Sequence, residues 1–466
     1  MADYSPFEGF DDDDINARER YGSAQGGRGR RSVSRVLVVF VVIAAFLSGM
    51  AVHELILPQP VRLAKWYYNI IKDNSYYASQ LSEEEIAEII YRMGAVGLSG
   101  LGDGYVDFLT PADSEAFRRA YTGTQYSGMI GVTFAYLHTM LKSSDETDEQ
   151  ARERFGTHIV IYDVYAGSPA AKAGIKRFDK LCGLKHGDTE KDWTTPQTTV
   201  VDISADMAEV PAADEFTLIL EEPVLSDGEY AYLGLSQREV ALSRGTFDIS
   251  FAEYHASASV PNLPSDTAIV RYTSFDLPQA GDFVAAMERF KSEGKRNLIL
   301  DMRFNGGGYV SAAQVVASYL VQGEKSGSVL LGYDKYADGH KENIYSAPSK
   351  YSSMNFGKIV VLVNGMSASA TELVLMAMQY YGTVDAIIGT NTYGKGIKQN
   401  TFFQNEARMS GYGIKITVSQ LFNPDGESLH GIGIAPDFEV PYAITPSLSA
   451  DTGIEKAIEF LASAEG

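Results

Sequence analysis

Cysteine is almost missing. Cys182 is the one cysteine in 466 residues, so the chain cannot form an internal disulfide or hold a cysteine-based metal cluster. It lies in the apolar run Leu181-Cys182-Gly183-Leu184, where a small buried hydrophobe is expected. Histidine is scarce too: His53, His138, His158, His186, His255, His340 and His430 are all there are. None sits in a glycine-rich setting beside a serine turn, and no His-Glu-x-x-His pattern occurs, which leaves a zinc hydrolase of that kind unsupported. Basic residues are outnumbered, 39 against 60 acidic ones, for a net charge of -21. That balance argues against nucleic-acid binding, which wants a basic face. A phosphate-binding Gly-x-x-x-x-Gly-Lys-Ser/Thr loop is missing, no internal repeat is apparent, and nothing in the pattern calls for a cofactor or a metal.

At its N-terminus the chain has one long apolar run. Residues 1–35 are polar, with the acidic stretch Asp11 to Asp14 and the basic cluster Arg28-Gly29-Arg30-Arg31, and read as a disordered cytoplasmic tail. From Val36 to Val52 there are 17 consecutive uncharged residues; with Arg35 snorkelling and Leu55-Ile56-Leu57 continuing it, residues 36–57 suffice to span a bilayer. The basic cluster keeps the N-terminal side cytoplasmic and puts everything after about Pro58 outside, a single-pass protein of the cell membrane. Gly49-Met50-Ala51 also fits a cleaved signal peptide, but the long tail before the run favours an uncleaved anchor. With no cysteine following closely, a lipoprotein anchor is excluded.

The remainder is too long for one ordinary domain. Residues 58–120 look helical: Ile86, Ile89, Ile90, Met93 and Val96 recur at helical spacing behind a capping box, Ser82 with Glu85. Residues 121–225 turn strand-like, at 130–135, 158–164 and 215–220, around a short helix capped by Ser168-Pro169 and closed by Gly174. The charged stretch 142–154 reads as a solvated surface excursion. Residues 226–466 alternate strands (267–272, 297–302, 359–363) with helices (279–291, 308–321, 371–381) and end in a helix near 453–464. That alternation predicts an α+β, mixed α/β fold with active residues at strand ends.

Three constellations carry chemistry. After the apolar strand 359–363 comes Asn364-Gly365-Met366-Ser367-Ala368-Ser369-Ala370-Thr371-Glu372, a small-residue turn that displays a serine between a strand and a helix. A serine hydroxyl needs a base. With no histidine in a suitable setting, Lys395 in Thr392-Tyr393-Gly394-Lys395-Gly396-Ile397-Lys398-Gln399 is the candidate. To act near neutral pH a lysine must lose its proton well below its reference value of about 10.4, which burial in an apolar turn achieves. Gln399 returns on the following segment to orient it. The same Gly-Lys-Gly would also suit a surface hairpin. Second, Asp301-Met302-Arg303-Phe304-Asn305-Gly306-Gly307-Gly308 follows a buried strand and opens a helix, so its free amides suit an oxyanion. Third, Gly128-Met129-Ile130-Gly131 leads into a strand and could receive a peptide carboxylate, the peptide then adding to the sheet edge. An ordinary β-turn would look the same.

Taken in order, these stretches resemble the carboxyl-terminal processing peptidases, or tail-specific proteases, over about residues 75–465. Residues 103–111 resemble the family's stretch before its PDZ domain, 126–132 its carboxylate-binding loop, and 167–175 its "G-S-P-A-x-x-A-G-I" helix. Residues 298–308 resemble "L-I-L-D-L-R-x-N-P-G-G", the Ser369 turn "G-S-A-S-A-S-E", 394–399 "G-K-G-x-V-Q", and 431–437 "G-x-G-I-x-P-D". The resemblance implies a Ser369–Lys395 dyad supported by Gln399, with oxyanion amides from Ala370 and Gly307. It implies a PDZ-like domain over 121–225 and a ClpP/crotonase-like mixed α/β protease core over 226–466. It also implies protein or peptide substrates with free C-termini, held through Gly128, Met129, Ile130 and Gly131. Three departures stand out: the serine–lysine spacing is 26, one residue longer than the family pattern; Gly306 replaces a proline; and Met366 replaces a glycine. The expectation is a membrane-anchored bacterial serine endopeptidase. Its rivals are an inert PDZ scaffold on a protease fold and a sensor protease dedicated to one partner. The oligomeric state is left open.

Overall fold

The computed structural model describes residues 125–466, except 227–228, 259, 277–279, 322–326, 349–353, 355, 404–410, 446–449 and 464–466. It also describes 103–111, 114 and isolated positions between 61 and 94. The expected cytoplasmic tail and the membrane span at 36–57 lie outside the described residues; among these, no helix is long and apolar enough to cross a membrane. The chain divides into two units, 1–90 and 91–466. In the first, the expected cap is formed: the Ser82 N–H donates to Glu85 Oε2 at 2.7 Å and the Glu85 N–H to Ser82 Oγ at 3.2 Å.

The second unit begins with a short strand, β1 (Asp107–Leu109), followed by β2 (Gln125–Met129). Then comes an antiparallel sheet with its own core: β3 (Val132–Tyr136), helices α1 (Leu137–Leu141) and α2 (Asp148–Phe155), β4 (Ile159–Val164), and α3 (Pro169–Lys172). It continues with β5 (Lys180–His186), β6 (Thr189–Asp192), α4 (Val200–Glu209), β7 (Glu215–Glu221), a hairpin of β8 (Val224–Ser226) and β9 (Glu229–Ala231), and β10 (Gln237–Ser243). The strand order is β10-β7-β5-β4-β3, with β6 on β5, so the sheet runs past residue 225 to Ser243 and β3 is an edge. Alternate residues of β7, Phe216, Leu218 and Leu220, turn inward onto Ile161, Leu181, Leu184 and Ile203 of α4. Cys182 is buried as expected, and burial pushes its thiol up to about 11. Helix α3 starts as its sequence predicts: Ser168 Oγ accepts from the Ala171 N–H at 3.1 Å and Pro169 opens the helix.

Strands β11 (Gly245–Asp248) and β12 (Ala252–Ala256) lead into a second sheet, ordered β12-β13-β14-β17-β18-β21 and parallel from β13 (Thr267–Tyr272) onward. After β13 the chain runs through α5 (Gly281–Ser292), β14 (Asn297–Asp301), α6 (Val310–Leu320), β15 (Leu330–Tyr336), β16 (Lys341–Tyr345), β17 (Ile359–Val363), α7 (Ala370–Tyr381) and β18 (Ala386–Gly389), of which β15 and β16 leave this sheet for a third. Both faces of this sheet are covered, which is why its strands read as unbroken apolar runs. Leu298, Leu300, Val361 and Val363 pack under α5, α6 and α7; the alternate residues Ile299, Val360 and Leu362 pack under Ile454 and Ala457 of the C-terminal helix.

The chain then forms β19 (Ile397–Phe403), β20 (Gly413–Phe422), β21 (Phe438–Glu439) and α8 (Thr452–Ala462). The third sheet, β1-β20-β15-β16 with β19 also on β20, is antiparallel and stands beside the C-terminal ends of the parallel strands. Its first strand comes from before the β3–β10 sheet, so the chain enters this sheet from both sides of that insertion, with Asp107 opposite Lys415.

Several contacts tie the first sheet to the rest. A buried ion pair joins Arg271 of β13 to Asp163 of β4 at 3.0 Å. An aromatic cluster stacks Tyr162 on Phe304 at 5.4 Å and sets Phe304 edge-to-face against Tyr442 at 4.8 Å, with Phe178 and Met366 beside them. The stretch 142–154 does more than face solvent. α2 is a surface helix, but Ser144 just before it donates to Glu439 at 2.7 Å and accepts the Asn391 N–H at 2.7 Å, next to the Lys395 turn.

Candidate active site

Ser369 ends the turn after β17 and precedes α7 with φ 59° and ψ -114°, a conformation that side chains rarely adopt. Backbone strain of that kind is tolerated where the surroundings over-determine it, and it pushes a serine up at a strand–helix junction. The two candidate serines separate at once. Ser367 is fully buried; its Oγ donates to the Met302 carbonyl at 2.9 Å and accepts from the Asn364 N–H at 3.0 Å, so it pins the turn. Ser369 is half-buried and lines a cavity of about 610 Å³.

Lys395 lines the same cavity, as do Gln399, Ala370, Gly306, Gly308 and Lys415. Its ammonium lies 5.3 Å from the centre of the Tyr105 ring. Burial, and then the nearby charge of Lys415, lower its pKa below the usual lysine value. Tyr105 belongs to the segment ending in β1, which runs along β20 of the third sheet as a strap. Asp103 fastens that strap by accepting from the Thr417 N–H at 3.0 Å and the Thr417 hydroxyl at 2.9 Å. Burial and a hydrogen bond with Tyr393 push the Tyr105 hydroxyl up to about 12. Gln399, expected to orient Lys395, instead donates its side-chain N–H to the Tyr105 carbonyl at 2.7 Å; it anchors the strap that covers the lysine.

The serine and lysine turns hang from one carboxylate. Glu372, in the first turn of α7, is fully buried. Its Oε2 accepts from the Ser369 N–H at 2.9 Å and the Lys395 N–H at 2.8 Å. Its Oε1 accepts from the Gly394 N–H at 2.7 Å and the Thr392 hydroxyl at 2.6 Å. Thr392 can donate because its oxygen already accepts from the Ile434 N–H at 2.7 Å. Burial pushes this carboxyl up, while the three amides and the Thr392 hydroxyl that donate to it pull the other way.

The glycine turn meets the serine turn closely. A Cβ on Gly307, where φ is 99°, would stand 2.8 Å from Ser369 Cβ and 2.7 Å from the Ala368 carbonyl, so only glycine fits. The Gly307 N–H, expected to face an oxyanion, donates to Asn305 Oδ1 at 3.0 Å. Its neighbours Gly306 and Gly308 line the cavity with Ala370, whose amide is the first of α7 and has no acceptor within the helix. Asn305 knits the two turns together: its carbonyl accepts from the Ala368 N–H at 3.0 Å and the Thr371 hydroxyl at 2.9 Å. Beneath them Arg303 pairs with Asp301 at 2.7 Å and Asp451 at 2.9 Å, all buried. Burial pushes the Asp301 carboxyl up, but Arg303 outweighs it and holds it below the usual range.

Away from the cavity, Gly128 and Met129 end β2, with Met129 exposed. The Ile130 carbonyl accepts from the Ala170 N–H at 2.9 Å, and the Gly131 carbonyl from the Tyr165 N–H at 3.0 Å. Gly131 has φ 84° and turns the chain into the edge strand β3, with α4 packed alongside.

Sequence reasoning assigned no role to Glu372, Tyr105, Asn305 or the Arg303 pairs. For Glu372 a signal existed: a glutamate three residues after a serine at a helix start is the capping-box spacing.

Residues 266–440 match the model of peptidase family S41. In sequence the chain is similar to the "Probable CtpA-like serine protease" of Staphylococcus epidermidis, 24% identical over 374 residues, 80% of this chain and 64% of that protein. It is also similar to "Carboxyl-terminal-processing peptidase 3, chloroplastic" of Arabidopsis thaliana, 26% identical over 360 residues, 76% of this chain and 61% of that protein. The chain thus spans just under two thirds of the length of these relatives. Among solved structures, the photosystem II D1 C-terminal processing protease is similar with a TM-score of 0.49 and 21% identity, covering 83% of this chain and 94% of that one.

Proposed function

We propose that this chain, a member of peptidase family S41 through residues 266–440 and of the carboxyl-terminal processing peptidases through its relatives, is a serine endopeptidase that acts on protein tails. The observation that carries this reading is the joint suspension of Ser369 and Lys395 from Glu372, at a cavity that both residues line. Lys395, its proton loosened by burial, takes the Ser369 hydroxyl proton as the oxygen attacks the scissile carbonyl. The amide of Ala370, with one from the Gly306–Gly308 turn, stabilises the oxyanion. Lys395 then passes its proton to the leaving amine. Water, deprotonated by Lys395 in turn, resolves the acyl-enzyme.

Residues 121–225 and the strand that completes their sheet serve as a PDZ-like module in this reading. The edge strand β3, entered through the Gly131 turn and flanked by α4, supports a peptide tail added to the sheet, its carboxylate at the 128–131 loop. Residues 36–57 anchor the chain, its N-terminus cytoplasmic and its catalytic part outside the membrane. Cleavage of a peptide with an apolar free C-terminus, compared with the Ser369→Ala and Lys395→Ala variants, tests the chemistry. Cleavage surviving Ser369→Ala refutes the nucleophile, and no cleavage by the native protein at any pH favours an inert scaffold. Membrane fractionation with external protease tests the topology; release of the catalytic part by salt alone contradicts an anchor.

A further inference from the structure

The cavity beside Ser369 contains three lysines and one carboxylate. The carboxylate, Asp334, is spoken for: it is almost wholly buried and pairs with Lys398 at 3.1 Å, and Lys398 also approaches Glu342 at 3.8 Å. Lys395 is the proposed base. The third, Lys415, is half-buried in the cavity wall, and among the described residues its ammonium has neither an ion pair nor a hydrogen bond. It comes from β20, where Asp107 of β1 lies directly opposite in the ladder; Asp107 is exposed, does not line the cavity and makes no ion pair with Lys415. Yet Lys415 is near enough to Lys395 for its charge to be felt there. Lys415 thus adds a cation without a partner to a lining it shares with the apolar Ile344, Leu373, Ile397 and Leu421. In a chain with a net charge of -21, such a cation at the reacting serine is a feature a bound ligand can complete.

We propose that Lys415 forms a carboxylate subsite of the cleavage cavity, which selects substrates bearing a carboxylate within a residue or two of the cut bond. This rests on the peptidase reading above and adds to it a recognition element separate from the 128–131 loop. The carboxylate comes from an acidic side chain or from the α-carboxylate of a chain cut close to its end. A charge-assisted hydrogen bond in a half-buried setting is worth about tenfold or more in selectivity.

The test uses full-length protein in detergent and peptides that differ by a Glu/Gln exchange at each of the two residues on either side of the cleaved bond. Each is made with a free and an amidated C-terminus. The readout is the ratio of kcat/KM for Glu over Gln, and for acid over amide, in the native protein and in Lys415→Gln. The expected result is a ratio of about ten in one arm, which names the source, falling to near one in Lys415→Gln and inverting in Lys415→Glu. Ratios of one in the native protein, or ratios unchanged in Lys415→Gln, overturn the proposal. A uniform loss on all peptides, with the acid limb of the pH profile moved up, also overturns it, because Lys415 then acts only through Lys395. Binding of the same fluorescent peptides to Ser369→Ala, with and without Lys415→Gln, reads the subsite without turnover. A carboxylate preference in that binding which Lys415→Gln removes, when the native protein cuts none of the peptides, supports the subsite while defeating the peptidase reading; no preference in binding or cleavage defeats the subsite.

Discussion

Replacing Glu372 with glutamine changes one atom and removes a charge, and the structure fixes what that costs. The carboxylate accepts four hydrogen bonds, two on each oxygen. Glutamine offers one accepting oxygen. Turned toward Ser369 and Lys395, it strands the Gly394 N–H and makes the Thr392 hydroxyl turn round to accept; turned the other way, it strands two backbone donors. An unpaired buried donor costs about 1–3 kcal/mol, so Glu372→Gln should lose roughly 1–3 kcal/mol of stability in the better orientation. The thermal midpoint falls accordingly, by a few degrees. Activity suffers separately, since the Ser369 and Lys395 amides share one of those oxygens, and a shift of about 1 Å between reacting groups costs on the order of 10²-fold. Scanning calorimetry and peptide kcat/KM on the same preparation measure both. A variant with native midpoint and native turnover refutes the bracing. One that loses stability but cuts at the native rate shows that the carboxylate holds the fold and does not set the dyad.

Further outcomes are expected. Tyr105→Ala uncovers Lys395, its pKa rises toward the ordinary lysine value, and the acid limb of the pH profile moves to higher pH; Tyr105→Phe keeps the ring and the native profile. Gly307→Ala forces a Cβ against Ser369 and abolishes peptide cleavage, whereas Ser367→Ala retains cleavage but lowers stability by about 1–3 kcal/mol in urea melts. Asp451→Asn leaves the buried Arg303 half-paired and destabilises by roughly 3–5 kcal/mol, read by the same melts. Because Arg303 holds Asp301 below its ordinary pKa, that pair's stabilisation is complete above about pH 4 and is lost as the pH falls through the depressed value; a thermal midpoint flat from pH 5 down to 2 contradicts it.

Local pattern made the parallel sheet legible. Strands 267–272 and 359–363 fall where their apolar runs place them, and α3 starts at the serine that caps it. The serine and lysine turns were legible for the same reason: each is written in consecutive small residues. What escaped depends on partners far apart in the chain. Tyr105 meets Gln399 across 294 residues, and Arg303 meets Asp451 across 148. Ser144 fastens the charged excursion to Asn391 from 247 residues away. No periodicity signals such contacts, because each is a single side chain reaching a backbone or charge that only the folded sheets bring near. Gly307 shows the opposite limit: three glycines announced a tight turn, but which amide faces the cavity depends on where Asn305 points.

The proposed reacting groups stand on different foundations. Ser369 rises from the parallel sheet, while Lys395 enters the antiparallel one, and the two sheets share no strand. Turnover therefore gauges the alignment of two sheets, which Glu372 and the shared packing of Leu331, Ile344 and Leu421 hold in place. On heating, cutting should fade before either sheet melts, and a crosslink joining β17 to β19 should raise the temperature of greatest activity more than the melting point itself.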